Sequence, residues 1–187
     1  ILFNGENYFN EGLSILENNY YENYWEIIPL IKSLKYSDQS SLLPTKNFEK
    51  SEEKAIKAIQ KSKKEHVKIQ DKAYLLLGKS RFYDQKYISA LQAFNQIDER
   101  KSEAILWKTM IYLNLDQPDI ALRKAKEEVQ KIGLEFNDLN ILKSITQSEI
   151  INNNYDEALA GLKKIYIQTN DKQLKSRSSF ISAQIYS

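Results

Sequence analysis

The chain has no cysteine, a single histidine, three prolines and five glycines among its 187 residues. Without cysteine there is no disulfide, no thiolate nucleophile and no zinc–thiolate site. The one histidine, His66, stands among lysines, so neither a Ser-His-Asp relay nor a two-histidine metal site has its groups. No uninterrupted apolar run reaches the roughly 18 residues of a membrane span. Charge of one sign is missing as well: 27 basic and 25 acidic residues leave a net +2, with no long-range field to draw the protein onto nucleic acid. The scarcity of glycine and proline argues against a turn-rich β fold and for helices joined by short turns.

What is present is 42% apolar and 28% charged residues, enough for a core and patterned for a wet surface. The expectation is one all-α domain over residues 1–187. Its N-terminal helices span 1–64 with a loop near 33–47, and 70–187 hold about three and a half helical repeats. Tyr8, Gly12, Leu13, Ile15 and Leu16 form a helical stripe between Asn7 and Asn18. Tyr20, Tyr21, Tyr24, Trp25, Ile27 and Ile28 lead to Pro29 as a second, short helical or irregular element. From Phe48 to Lys64 an amphipathic helix buries Phe48, Ala55, Ile56 and Ile59 and wets Glu49, Glu52 and Glu53. The basic run Lys61, Lys63 and Lys64, with His66 and Lys68, reads as a solvated helix end favoured by the dipole.

The strongest signal is a repeat. Three segments, starting at Tyr87, Pro118 and Tyr155, each place an alanine and a leucine at their fourth and fifth positions: Ala90-Leu91, Ala121-Leu122 and Ala158-Leu159. The alanines lie 31 and 37 residues apart, averaging the tetratricopeptide period of about 34. Twelve residues ahead of each stands Gly78, Thr109 or Thr146, so a small residue on a first helix is expected to face a small one on the second. Pro118 suits a first helical position, and Asn154 with Glu157 reads as a capping pair. Phe180 to Tyr186 opens a fourth unit. The fold class expected is tetratricopeptide-type hairpins stacked as a right-handed solenoid, continuing beyond residue 187.

In such a stack the first helices line a groove. Its candidate residues are Lys72, Leu75, Lys79, Phe82 and Tyr83, then Leu106, Met110 and Leu113, then Lys143, Gln147 and Ile150, a mixed aromatic, aliphatic and basic surface suited to an extended or helical peptide. The same residues fit helix–helix packing equally well. Leu75 and Lys79 stand where a carboxylate clamp of the chaperone-adaptor kind wants lysine and asparagine, which disfavours that role. Adjacent acids such as Glu52 and Glu53 do not face one another on a helix, so they offer no acid–base pair. No catalytic residue, cofactor or metal ligand emerges.

Asn4-Gly5-Glu6 with Glu11-Gly12-Leu13, the run FEKSEEKAIKAIQK from Phe48 to Lys61, and DKAYLLLGK from Asp71 to Lys79 continuing to Ala90-Leu91-Gln92-Ala93-Phe94 carry a resemblance that spans most of residues 1–100. Together these stretches resemble the N-terminal part of the SprE/PorW group, tetratricopeptide outer-membrane lipoproteins of the Bacteroidota that serve type IX secretion and gliding motility. The resemblance implies a periplasm-facing adaptor at the outer membrane, longer than these residues, whose partners are secretion-translocon proteins. Membrane association would come only through a lipid anchor outside this stretch. Two alternatives stay open: a generic tetratricopeptide adaptor, and a glycan-binding helical lipoprotein of a nutrient-uptake system, with Tyr20, Tyr21, Tyr24 and Trp25 as a sugar platform.

Overall fold

The computed structural model describes residues 1–32, 34, 45–62 and 66–187. Among them there are nine helices and no strand. These are α1 (Leu2–Asn18), α2 (Thr45–Lys61), α3 (Val67–Tyr83), α4 (Tyr87–Phe94), α5 (Lys101–Asn114), α6 (Pro118–Ile132), α7 (Leu139–Ile151), α8 (Tyr155–Gln168) and α9 (Lys172–Tyr186). The chain is all-α, as its periodicity implies. Most of the expected loop at 33–47, and Lys63 and Lys64 of the basic run, fall outside the described residues. Contacts gather into two compact units: Ile1–Tyr21 with Leu34–Ala104, and Glu22–Ser33 with Ile105–Ser187.

In the first unit α1 begins at Leu2, five residues ahead of the expected start, and its glycines explain how it packs. A Cβ on Gly5 would stand 2.8 Å from Leu76 Cδ2, and one on Gly12 would stand 2.9 Å from the Phe48 ring. Their absence lets α1 lie close against α2 and α3. Phe9, Phe48 and Tyr83 then form an aromatic cluster, Phe48 stacked on Tyr83 with ring centroids 5.5 Å apart. Glu52, expected on a wet exterior, is instead drawn in. It accepts from Arg81 Nε at 2.7 Å and Lys86 Nζ at 3.3 Å, tying α2 to the α3–α4 hairpin.

The hairpins α3–α4, α5–α6 and α7–α8 end their first helices alike. Each turns through three residues, the middle one left-handed: Gln85 (φ 58°), Asp116 (φ 56°) and Asn153 (φ 59°), spaced 31 and 37 residues apart like the alanines. After each, an amide reaches back five residues: Lys86 to Arg81, Gln117 to Tyr112 and Asn154 to Glu149, at 2.8 to 3.0 Å. These are Schellman-type closures made without glycine. Ala90, Ala121 and Ala158 are fully buried.

The space at Gly78 is taken by a ring: a Cβ there would lie 2.4 Å from Phe94 Cε1, so Phe94 helps close the first hairpin. In the third hairpin Thr146 fills the space at Gly161. One local expectation is corrected. Asn154 occupies the cap position of α8, but its side chain accepts no cap bond. Its Nδ2 donates instead to the buried Glu149 carboxylate, 2.6 Å away. Pro118 does start α6.

Candidate peptide-binding face

The eleven groove candidates fall in both units, and each unit is described by itself. In the first, Phe82 and Tyr83 are buried, Tyr83 within the aromatic cluster and Phe82 edge-on to it. Lys72, Leu75 and Lys79 line a cleft of about 280 Å³ together with Glu6, Phe9 and Arg100. Lys79 is paired there with Glu103 at 2.8 Å. The first-unit candidates thus divide between core and cleft.

In the second unit Leu106 and Met110 are buried and Leu113 is half-buried. On α7, Gln147 and Ile150 are buried and Lys143 is half-buried. Against this helix and α9 lies a segment that sequence reasoning did not place. Residues 22–32, which follow α1, belong to the second unit and form a strap without helix or strand.

The strap is held through its backbone. Gln147 Oε1 accepts from Ile31 N at 2.8 Å, and Gln184 Oε1 accepts from Ile28 N at 3.0 Å. Gln184 Nε2 donates to the carbonyls of Glu26 at 2.7 Å and Tyr24 at 3.2 Å. Arg177 Nε donates to the Pro29 carbonyl at 2.8 Å, and its terminal nitrogens hold the Glu22 carboxylate as a bidentate pair. Both partners of this ion pair are largely buried, at 15% and 10% side-chain exposure.

Side chains fill what the backbone contacts leave. Ile28 and Leu30 are buried with Leu142, Ile150, Leu162 and Ile181, and Ile27 and Ile31 pack partly buried against the same cluster. The predicted groove residues Gln147 and Ile150 therefore do meet an irregular peptide segment, and it is the chain's own. Arg177 and Gln184 were missed. Both lie on α9, outside the three aligned segments. The strap's other side is open: Trp25 is 98% exposed, and Tyr24 packs edge-on against Phe180 with centroids 5.7 Å apart.

Among the described residues no cluster of three or more His, Asp or Glu is arranged to hold a metal ion, and no helix is long and apolar enough to cross a membrane. No family model matches the sequence, and no curated protein matches it.

Proposed function

We propose that this chain is a non-catalytic protein–protein interaction scaffold built from tetratricopeptide-type hairpins. The observation that carries the reading is the strap. On α7 and α9, three long polar side chains, Gln147, Arg177 and Gln184, read the carbonyls and amides of a segment lacking regular structure, while an apolar floor buries Ile28 and Leu30. That division of labour, main chain for affinity and pockets for specificity, is how folded domains take extended peptides. The three identical turns at the repeat period support the tetratricopeptide reading.

The resemblance to the SprE/PorW group narrows the setting. It makes the chain part of a periplasm-facing outer-membrane lipoprotein that links the type IX translocon to the rest of the secretion and gliding apparatus. Crosslinking in the native envelope tests both levels. Recovery of translocon or motor proteins supports the assignment, recovery of unrelated proteins leaves a generic adaptor, and recovery of none counts against a scaffold. A second reading, glycan binding, draws on the nearly complete exposure of Trp25 beside Tyr24. Saturable heat on titration with soluble glycans, lost in Trp25→Ala, would promote it.

A further inference from the structure

Resting on the scaffold reading, we propose that the strap is a displaceable resident of its own binding site. The partner that displaces it is then a protein segment of the same chemistry: a carboxylate followed, six to nine residues later, by an apolar-Pro-apolar-apolar run.

The composition of the site argues for this partner. Glu22 sits in a two-pronged Arg177 contact, which selects a carboxylate by planar geometry. Ile28 and Leu30 fill the apolar floor. Between them Pro29 needs no amide partner and offers its carbonyl to Arg177. The main-chain contacts are indifferent to side-chain identity, so any segment with those features at those spacings can replace the strap.

The strap also has what a displaceable occupant needs. Apart from the bonds of Trp25 and Glu26 amides to Asn23, its described backbone bonds are made to side chains of α7 and α9. Its release therefore breaks no helix and no sheet. Exposed Trp25 and Tyr24 leave an edge from which an incoming chain can begin exchange.

Tethering sets the strength of self-occupancy. Being part of the same chain, the strap competes at an effective concentration set by the stretch that joins it to α7 and α9, which falls as that stretch lengthens. At an effective concentration of about 0.1 mM, a competing peptide with an intrinsic dissociation constant of about 10 μM would bind the closed form roughly tenfold more weakly.

The test uses a fluorescent synthetic peptide with the sequence of residues 20–32 and the whole chain in two forms, unaltered and with Ile28→Ser and Leu30→Ser to loosen the strap. Expected is saturable anisotropy with the loosened form, at least tenfold weaker binding to the unaltered chain, and loss of binding when Arg177→Ala is added. No binding to a loosened form whose helical circular dichroism and melt are intact would overturn the proposal, as would equal binding to both forms. Hydrogen exchange on the unaltered chain serves where the loosened form does not fold. The Ile28 and Ile31 amides should exchange faster than those inside α7, and exchange at the same rate as α7 would refute displaceability. A dimer of the unaltered chain, seen by light scattering and dissolved by the peptide, would make a second copy the occupant and defeat the choice of partner. Translocon proteins recovered by crosslinking while the peptide fails would leave the scaffold standing and remove only this inference. Peptide binding with no protein recovered would do the reverse.

Discussion

Replacing Gly78 by alanine sets two effects of opposite sign against each other inside one helix. In α3 alone the change is favourable by about 1 kcal/mol, since alanine is the better helix former. Against this, the added methyl would stand 2.4, 2.6 and 2.8 Å from three atoms of the Phe94 ring, where carbon atoms rest at roughly 3.5 to 4 Å. The ring must withdraw by about 1 Å, and Phe94 is fully buried, so no open side receives it. Overpacking of this kind costs about 1 to 3 kcal/mol, occasionally more. The net expectation is between no change and a loss of about 2 kcal/mol, read as a fall in melting temperature of up to roughly 8 °C for a chain of this size. Circular dichroism at 222 nm follows the melt. The decisive comparison is the same change made beside Phe94→Val, which removes the ring atoms in question. There Gly78→Ala should become neutral or stabilising, a coupling of about 2 kcal/mol. Equal destabilisation in both backgrounds would mean that ring and glycine do not meet, and the register of the first hairpin would be wrong.

Other expectations are as direct. The Asp71 carboxylate, buried on α3, accepts from the amides of Asp98, Glu99 and Arg100 at 2.8 to 3.1 Å. Asp71→Ala orphans all three and should cost about 2 to 4 kcal/mol in urea denaturation, with Asp71→Asn in between; a loss under about 0.5 kcal/mol would show that water replaces the carboxylate readily. Gln85→Gly should raise stability by about 1 kcal/mol by relieving a left-handed backbone, whereas Gly133→Ala, at φ 67°, should lower it by a similar amount; a uniform sign would refute the turn geometry. Alkaline pH should destabilise the first unit. Burial, helped by the Glu17 carboxylate, raises the Tyr83 phenol above its ordinary range, and its hydrogen bond with Asp84 chiefly raises the Lys86 ammonium. The folded chain therefore keeps protons that the unfolded chain releases, so stability is intact below about pH 10 and falls above it. Tyr83→Phe should flatten the decline in urea midpoint between pH 9.5 and 11, and a midpoint that climbs over that range would contradict the assignment.

Sequence showed best what depends on neighbours within one hairpin. Ala90, Ala121 and Ala158 were legible as buried because helical period and side-chain size are local facts. Their turns were partly legible: Pro118 announced a helix start, but Gln85 gave no sign of a left-handed backbone, a conformation that asparagine or glycine would have signalled. Gly5 delayed recognition of the α1 start, since glycine reads as a weak helix former while here its lack of a side chain admits Leu76. Phe82 and Tyr83 were placed on the groove face by period, yet period says nothing of what covers that face. The rings of Phe9 and Phe48 on α1 and α2 stand beside Tyr83. Least legible was the strap, whose anchors are separated from it by more than a hundred positions. Pro29 marked only the end of regular structure there.

That separation has a consequence for how the protein is made. Glu22 leaves the ribosome 155 residues before Arg177, an interval of roughly 8 to 30 seconds at ordinary elongation rates of about 5 to 20 residues per second. Until Leu142 and Ile150 emerge, Ile28 and Leu30 have no floor to sit on, and a holding chaperone has a stretch of oily chain to grasp. Closure of so long a loop is intrinsically slow, so the last event in maturation of the second unit should be the return of a segment made well before its anchors.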